Sequence, residues 1–296
     1  MRSRSRTLWS LATATTVAAA FGVVAVLQPH STTPVAVKPV ASTVPTPAHV
    51  VVVMEENHSY SDIIGNSGAP YFNSLASQGA LLTSSYGVTH PSEPNYMALF
   101  AGSTFGLSAD TCPVNKGNVA NLGSELLAAG KTFKGYSEGL PSTGSTTCSS
   151  GKYARKHSPW INFSNVPTAD SLPFTSFPTS SSGYASLPTV SFVIPNLNDD
   201  MHDGTIAAAD TWLNSKLSAY ATWAKANNSL LIVTWDEDDY TESNQVPTIV
   251  VGQHVATGHY DETVNHYNLL ATLEQMYGLA AVGSSATAPA VTDIWN

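Results

Sequence analysis

The stretch His49–Met54, HVVVVM, is a run of mostly β-branched residues that passes directly into the polar residues Glu55, Glu56 and Asn57. An uninterrupted apolar run of this length predicts a strand that is buried on both faces, as the central strands of a parallel sheet are. Open α/β sheets bind their ligands beyond the carboxyl ends of such strands. The stretch therefore predicts both the core of a sheet and one wall of a site.

Similar strand patterns recur along the chain, and helical stretches lie between them. The strand-like segments are 188–195 (PTVSFVIP), 230–235 (LLIVTW) and, more weakly, 247–252 (PTIVVG). Helical stretches are predicted over 121–129, 205–226 and 267–277. Alternating strands and helices predict an α/β domain with a mostly parallel sheet.

The first 27 residues predict an export signal, because three arginines precede an apolar stretch of 20 residues from Leu8 to Leu27. That length also suits an uncleaved N-terminal anchor, so membrane attachment through this segment is an alternative. Residues 28–47 are rich in Pro and Thr and predict a flexible linker. We therefore expect a secreted or otherwise extracytoplasmic protein with one folded domain over 48–296.

Composition excludes one class of partner and favours another. Charged residues make up 11% of the chain, the formal net charge is −9, and no Lys/Arg run follows the first residues. A nucleic-acid partner is excluded because binding one requires a basic surface. The acidic balance instead suits a site that gathers a cation. Export predicts that Cys112 and Cys148 form a disulfide rather than part of a metal site.

A hydroxyl nucleophile stands at a predicted helix start in the segment Pro91–Tyr96, PSEPNY. Pro94 suits the first turn of a helix, and the apolar residues that follow continue it. Ser92 is then predicted at the N-cap, where free N–H groups and the helix dipole favour an anion such as a phosphoryl group. Asn95, one turn further on, is a candidate donor to a phosphate oxygen. The alternative is that Ser92 only caps the helix.

Two groups of oxygen ligands follow predicted strands and are expected at the same edge of the sheet. Glu56 and Asn57 follow the first strand, and Asp236 and Glu237 follow a later one. Uncompensated carboxylates gathered there would repel one another. A divalent cation would offset this repulsion, and oxygen ligands suit Mg, Ca, Mn or Fe. The alternative is that these acidic residues lie in solvated loops or cap helices.

Three histidines and a lysine are further candidates for contact with substrate. His157, His202 and His266 are candidate metal ligands, general acids toward a leaving alkoxide or donors to phosphate, and His202 lies in the segment that begins at Asp200. Lys156 is a candidate for holding phosphate oxygens. The alternatives are ordinary hydrogen-bonding histidines and a salt-bridged lysine.

Six short motifs occur in an order that resembles the phosphoesterase family, which holds secreted acid phosphatases and phospholipases C and belongs to the alkaline-phosphatase superfamily. The resemblance extends over nearly everything from His49 to Leu279. The motifs are Met54–Tyr60 (MEENHSY), His90–Tyr96 (HPSEPNY), Gly135–Glu138 (GYSE), Tyr153–His157 (YARKH), Asp200–Gly204 (DMHDG) and Thr234–Glu237 (TWDE).

The resemblance implies a three-layer α/β/α sandwich of the alkaline-phosphatase type. It also implies that one divalent metal is held by Glu56, Asn57, Asp236 and Glu237 and touches the oxygen of Ser92. Ser92 would then be the nucleophile, and attack on phosphorus would form a phosphoserine intermediate that water hydrolyses.

Two departures from the superfamily pattern argue against a second metal. His202, with Asp200 and His266, matches the region where two-zinc relatives bind their second ion. Glu237 stands where those relatives carry a histidine, and Asn198 stands where they carry an aspartate. We therefore expect one metal ion rather than a two-zinc site. His202, Asp200 and His266 are assigned to contact with the substrate or its leaving group.

The leading hypothesis is an exported, metal-dependent phosphomonoesterase of the acid phosphatase type that acts on small phosphate esters. A phospholipase C that cleaves phosphodiester head groups is the first alternative. A surface-anchored binding protein, in which the carboxylates hold structural calcium and Ser92 only caps a helix, is the alternative from a different class.

Overall fold

The computed structural model describes residues 44–296. The predicted signal or anchor, 1–27, and most of the predicted linker, 28–47, lie outside these residues. Val44 is buried in the core, and the Tyr277 hydroxyl donates a hydrogen bond to the carbonyl of Pro47 at 3.1 Å. The last residues of the predicted linker therefore pack against the domain. Within 44–296, no helix has both the length and the apolar character needed to cross a membrane.

An eight-stranded sheet forms the centre of the fold, in the order β11-β2-β10-β9-β1-β8-β4-β7, and two pairs of short strands, β12-β3 and β5-β6, lie outside it. The strands are β1 His49–Glu55, β2 Ala80–Leu82, β3 Ser85–Tyr86, β4 Phe133–Ser137, β5 Ser149–Ser150, β6 Tyr153–Ala154, β7 Ser171–Pro173, β8 Val190–Ile194, β9 Ser229–Trp235, β10 Thr248–Gly252, β11 Gly258–Tyr260 and β12 Val264–Asn265.

The predicted central strand is confirmed. β1 pairs in parallel with β8 on one side and with β9 on the other, and Val52 lies opposite Phe192 and Ile232. β10 is a correction to the expected pattern, because it runs antiparallel to β9. Residues 236–247, which connect the two strands, form a loop without a crossover helix, so the chain can only turn back on itself. The sheet remains mostly parallel.

Helices cover both faces of the sheet, which confirms the α/β sandwich. The helices are α1 Tyr60–Ile63, α2 Pro70–Gln78, α3 Ser92–Ala101, α4 Leu122–Ala128, α5 Ser181–Tyr184, α6 Ile206–Ala224 and α7 His266–Tyr277. Val50 and Val52 of β1 face a core that includes residues of α3, α4 and α7. Val51 and Val53 face a second core that includes residues of α2 and α6. Alternation along one strand thus supplies both interfaces.

Helix α3 carries the predicted nucleophile, and all of its residues are buried. It begins one residue earlier than expected: Pro91 occupies the N-cap position with extended backbone, and Ser92 is the first helical residue. The reason is that Pro91 cannot donate a backbone hydrogen bond and accepts the extended conformation that a cap requires. α3 ends at Gly102, where φ is +64° and an added Cβ would lie 1.9 Å from the carbonyl oxygen of Val282.

Cys112 and Cys148 form the expected disulfide. The bridge joins the segment after α3 to the residue that precedes β5, across a sequence separation of 36. Closing a loop of that length reduces the conformational entropy of the unfolded chain.

We predict that replacing both cysteines, Cys112→Ser with Cys148→Ser, lowers the free energy of unfolding by about 3–4 kcal/mol, since the unfolded chain regains the entropy of the opened loop. Denaturant unfolding of the oxidised protein and of the double variant measures the difference. Unfolding of the wild type in excess reductant is the control and should match the double variant. A loss below about 1 kcal/mol would show that the bridge does not restrict the unfolded chain as this model requires.

Candidate active site

The hydroxyl of Ser92 contacts two of the predicted metal ligands. It donates a hydrogen bond to Oε2 of Glu56 at 2.9 Å and lies 3.2 Å from Oε1 of Glu237. Ser92 is buried, as are both carboxylates. The first turn of α3 therefore points a serine oxygen at acidic groups that come from the ends of two different strands.

Backbone hydrogen bonds hold the loops after β1, β8 and β9 together. The amide of Glu56 donates to the carbonyl of Asp200 at 2.9 Å, and the amide of Asp236 donates to the carbonyl of Glu55 at 3.0 Å. The amide of Asn57 donates to Oδ1 of Asp236 at 3.1 Å. The parallel register of β1 with its two neighbours brings these loops to one edge, and the bonds fix their spacing.

The acidic cluster fits a cation on chemical grounds. Burial, and then the charge of Asp236, raises the pKa of Glu56 well above its ordinary value. Burial, and then the charge of Glu237, does the same for the pKa of Asp236. The pKa of Glu237 is raised to about 8, by burial first and by Glu56 second. Oδ2 of Asp236 is buried without a hydrogen-bond partner in the described part of the chain. A divalent cation would offset these costs.

The second oxygen of Glu56 is held from the opposite side. Tyr96, one helical turn after Ser92, donates its hydroxyl to Oε1 of Glu56. Nε2 of His157 lies 3.1 Å from the same oxygen, and the imidazole stacks on the Tyr96 ring with centroids 4.8 Å apart. Tyr96 was not predicted as a site residue. Its spacing of four residues from Ser92, which places both on one helix face, is the signal that could have found it.

His157 and Asp200, predicted to contact substrate, are buried behind Glu56. Nδ1 of His157 lies 3.5 Å from Oδ2 of Asp200. Burial lowers the pKa of His157 to about 4, so its ring is neutral, and burial raises the pKa of Asp200 to about 7. Ligand atoms of Glu56, His157 and Asp200 all lie within 4.8 Å of one another. This buried group could hold a metal ion, and it shares Glu56 with the predicted set.

His202 is more open than the buried histidines. A fraction of 29% of its side chain is exposed, and its ring centroid lies 6.2 Å from that of His157. Its backbone amide donates to Oδ1 of Asp200 at 2.8 Å, and Nδ1 lies 2.8 Å from Oδ1 of Asp203. The carboxylate of Asp203 therefore orients the ring, and Nε2 has no hydrogen-bond partner among residues 44–296, which suits proton transfer to a bound molecule.

Lys156 lies beside the cluster and is paired with an aspartate that sequence reasoning missed. Its Nζ is 2.7 Å from Oδ2 of Asp110, and the other oxygen of Asp110 accepts from the amide of Glu93 at 2.9 Å. Desolvation opposes the charge of Lys156, but the hydrogen bond to Asp110 and the charges of Glu56 and Asp236 outweigh it and raise the lysine pKa. The ammonium group of Lys156 is thus held close enough to Glu56 for their charges to interact.

Asn95 and His266, which were predicted to contact substrate, form hydrogen bonds with other parts of the protein. Oδ1 of Asn95 accepts from the amides of Val88 and Thr89, and its Nδ2 donates to the carbonyl of Thr89 at 2.8 Å. His266 is buried, and its Nε2 donates to the carbonyl of Asp236 at 2.6 Å. Asn95 therefore supports the turn before α3, and His266 supports the backbone of a predicted ligand.

His90 is a site residue that the sequence left unassigned. Its Nδ1 lies 2.7 Å from Oε2 of Glu237, and its Nε2 lies 3.1 Å from Oδ1 of Asp238. Both ring nitrogens are thus committed to carboxylates of the loop after β9. Its position two residues before Ser92 is the only sequence signal for this role.

Comparison with known proteins identifies the family to which this chain belongs. The model of the Phosphoesterase family matches residues 66–280. A phosphatidylinositol-3-phosphatase from Mycobacterium tuberculosis is 63% identical over 256 residues, which cover 86% of this chain and 85% of that protein. An acid phosphatase from Aspergillus fumigatus is 32% identical over 77% of this chain, which spans about half (54%) of the fungal protein.

Solved structures support the fold. A protein of the alkaline phosphatase superfamily from Vibrio parahaemolyticus superposes with a TM-score of 0.58 at 12% identity, covering 84% of this chain and 72% of that one. At 12% identity, this likeness shows that the two proteins share a fold. With the family match, the relatives and the shared fold, the chain belongs to the Phosphoesterase family and is a hydrolase that acts on phosphoric ester bonds.

Proposed function

We propose that the protein is an exported, metal-dependent phosphomonoesterase that works through a phosphoserine at Ser92. The observation that carries this proposal is the contact of the Ser92 oxygen with Glu56 at 2.9 Å and with Glu237 at 3.2 Å. A serine that only caps a helix would turn its oxygen to the backbone, whereas this one faces two carboxylates. The disulfide supports export, since such bonds persist in oxidising compartments.

The proposed substrate is a phosphate monoester of a phosphoinositide. The M. tuberculosis relative, 63% identical along most of both chains, is named a phosphatidylinositol-3-phosphatase, and the fungal relatives are named acid phosphatases. All of these names describe removal of a terminal phosphate rather than cleavage of a diester. A monoester is therefore favoured over the phosphodiester of a phospholipase C.

Ser92 supplies the nucleophile in this proposal. Its oxygen forms a bond to phosphorus while the bond from phosphorus to the ester oxygen breaks. The serine proton passes to the carboxylate of Glu56, which accepts the hydrogen bond of the Ser92 hydroxyl. The positive end of the α3 dipole favours the negative charge that gathers on the phosphoryl oxygens. Water then forms a bond to phosphorus while the bond from phosphorus to the Ser92 oxygen breaks. His202, which has given its proton to the leaving group, takes a proton from this water, the carboxylate returns its proton to Ser92, and inorganic phosphate leaves.

His202 and Lys156 complete the chemistry. The ester oxygen leaves as an alkoxide and needs a proton, which His202 is placed to donate because its ring is partly exposed and oriented by Asp203. Lys156 neutralises phosphoryl charge, since Asp110 holds its ammonium beside the cluster. Asn95 and His266 act as positioning residues for the α3 turn and for Asp236.

Glu56, Asn57, Asp236 and Glu237 are the proposed ligands of one divalent ion. When bound, such an ion stabilises phosphoryl charge and makes the serine hydroxyl easier to ionise. The oxygen donors favour Mg, Ca, Mn or Fe over zinc. The competing group is Glu56, His157 and Asp200, whose neutral imidazole and carboxylates also suit a metal. Because Glu56 belongs to both groups, substitutions at the other members separate them.

We predict that Ser92→Ala lowers turnover of an aryl phosphate by at least about 10³-fold, because no other hydroxyl replaces the nucleophile. Loss of one hydrogen-bonded hydroxyl costs about 1 kcal/mol, so the thermal midpoint should fall by only about 2–4 °C. Rapid acid quench followed by mass spectrometry should find the phosphoryl group on Ser92 in the wild type. Ser191→Ala, a buried serine within β8, is the control and should keep wild-type rates. Wild-type turnover in Ser92→Ala would remove this residue from the mechanism.

We predict that Asp236→Asn weakens binding of Mn²⁺ at least about tenfold, since a charged ligand is lost. His157→Gln should leave the affinity within about threefold of wild type if the ion lies on the Ser92 side. Isothermal titration calorimetry on chelator-treated protein measures both affinities. Asp239→Asn, at an exposed position of the same loop, is the control. Loss of affinity in His157→Gln alone would assign the ion to Glu56, His157 and Asp200 instead.

We predict that vesicles containing phosphatidylinositol 3-phosphate release inorganic phosphate with the wild-type enzyme, because the 63% identical M. tuberculosis relative is named a phosphatidylinositol-3-phosphatase. Vesicles of phosphatidylcholine should release neither phosphate nor phosphocholine. Release of a phosphorylated head group would support the phospholipase C alternative. Absence of turnover with every mono- and diester, in a folded protein that binds calcium, would support the binding-protein alternative.

A further inference from the structure

The loop 238–244, between β9 and β10, is organised around one buried carboxylate. Asp238 is fully buried. Its Oδ1 accepts from the amide of Tyr240 at 2.8 Å, and its Oδ2 accepts from the amides of Glu242 at 2.8 Å and Asn244 at 2.9 Å. Three backbone amides donate to this one carboxylate, so hydrogen bonds fix the conformation of the loop.

Tyr240 is presented by this loop in an unusual way. Its φ is +69°, in the left-handed region that costs a bulky residue energy, and 72% of the residue's surface is exposed. Here the hydrogen bond to Asp238 maintains the backbone conformation and the ring remains open. An exposed, strained aromatic at a fixed position points to contact with a ligand.

The ring of Tyr240 is held by His90. The two rings stack with centroids 3.9 Å apart and planes inclined by 20°. His90 is itself fixed, because one ring nitrogen lies 2.7 Å from Glu237 and the other lies 3.1 Å from Asp238. One face of the Tyr240 ring is therefore covered by the imidazole, while the residue as a whole remains exposed.

This aromatic pair is connected to the candidate active site through Glu237. Glu237, which contacts His90 with one oxygen, lies 3.2 Å from the Ser92 hydroxyl with the other. Desolvation and then the negative charges of Glu237 and Asp110 raise the pKa of Tyr240. Three consecutive contacts thus connect the nucleophile to the open ring. Tyr240 is the exposed end of this chain of contacts, which begins at the nucleophile.

We propose that the open face of Tyr240 is a stacking subsite for a ring in the leaving group of the phosphate ester, either an aromatic ring or the C–H face of a cyclitol. The subsite rests on the proposed phosphomonoesterase function and specifies its substrate class. A ring offers a flat face that packs on the phenol, whereas an acyclic leaving group offers none. Aromatic pairing of this kind changes affinity by about 2- to 10-fold. Because the contact is remote from phosphorus, it acts on KM rather than on kcat.

The test compares Tyr240→Ala and Tyr240→Phe with the wild type on p-nitrophenyl phosphate, soluble inositol 3-phosphate and glycerol 2-phosphate. In Tyr240→Ala we expect KM for both ring esters to rise by about 2- to 10-fold while kcat remains within about twofold. KM for glycerol 2-phosphate should change by less than about twofold, because this ester has no ring to stack. Tyr240→Phe keeps the ring and should retain wild-type KM values. Thr241→Ala, at the neighbouring position of the loop, is the matched control and should do the same.

Binding of two phosphonates that cannot be hydrolysed separates the subsite from catalysis. Calorimetry should show that Tyr240→Ala weakens binding of phenylphosphonate by about 2- to 10-fold and that of methylphosphonate by less than about twofold. Failure of the wild type to hydrolyse any ester would refute the proposed function, and the phosphonates would still test the subsite.

Equal effects of Tyr240→Ala on ring-bearing and acyclic ligands would overturn the inference. A loss of the same size in Tyr240→Phe or in Thr241→Ala would also overturn it, because the ring would then not be the cause. A loss confined to vesicle-borne phosphoinositide, with soluble ring esters unaffected, would contradict it in favour of contact between Tyr240 and a lipid surface.

Discussion

The parallel pairing of β1 with β9 is the constraint on which the rest of this structure depends. Its register sets Glu55 opposite Trp235, so the residues that follow, Glu56 and Asp236, emerge side by side at the carboxyl edge of the sheet. Almost every residue of the two strands is buried, and a slip of either strand would disrupt its packing against the cores on both faces of the sheet. Two carboxylates that repel each other are thereby held together by packing far from them. The stability of the core compensates for the electrostatic cost of the site.

That cost is distributed through a connected set of polar groups. Glu56 is at its centre, because Ser92 and Tyr96 donate to its two oxygens and His157 lies beside one of them. Every group in this set is buried, so each contact acts in a medium of low polarity where it is strong when made and expensive when lost. The arrangement explains why one carboxylate can serve two candidate cation groups. It also explains why His157, neutral through burial, orients its neighbours and does not contact solvent.

The rim of the site differs from its floor. The floor consists of buried carboxylates on loops that are bonded to one another, whereas the rim carries partly exposed side chains: His202 beside Asp203, and Tyr240 on His90. Such a division suits an enzyme whose chemistry is common to a family while its substrates vary. The floor would act on any phosphoryl group, and the rim would contact the leaving group. The relatives named as acid phosphatases and as a phosphatidylinositol-3-phosphatase are compatible with this division.

By itself, the sequence determined the elements and the order of the motifs. The apolar runs predicted β1, β8 and β9, helical periodicity predicted α6 and α7 within two residues at each end, and the rule for parallel sheets placed Glu56 and Asp236 at one edge. These features are local, because burial and periodicity are written in neighbouring residues. Only the tertiary structure decided that β10 runs antiparallel, that the amide of Asn95 turns toward its own loop, and that His90 lies between Glu237 and Asp238. Those outcomes depend on loop paths and on contacts between residues far apart in sequence, which no local pattern encodes.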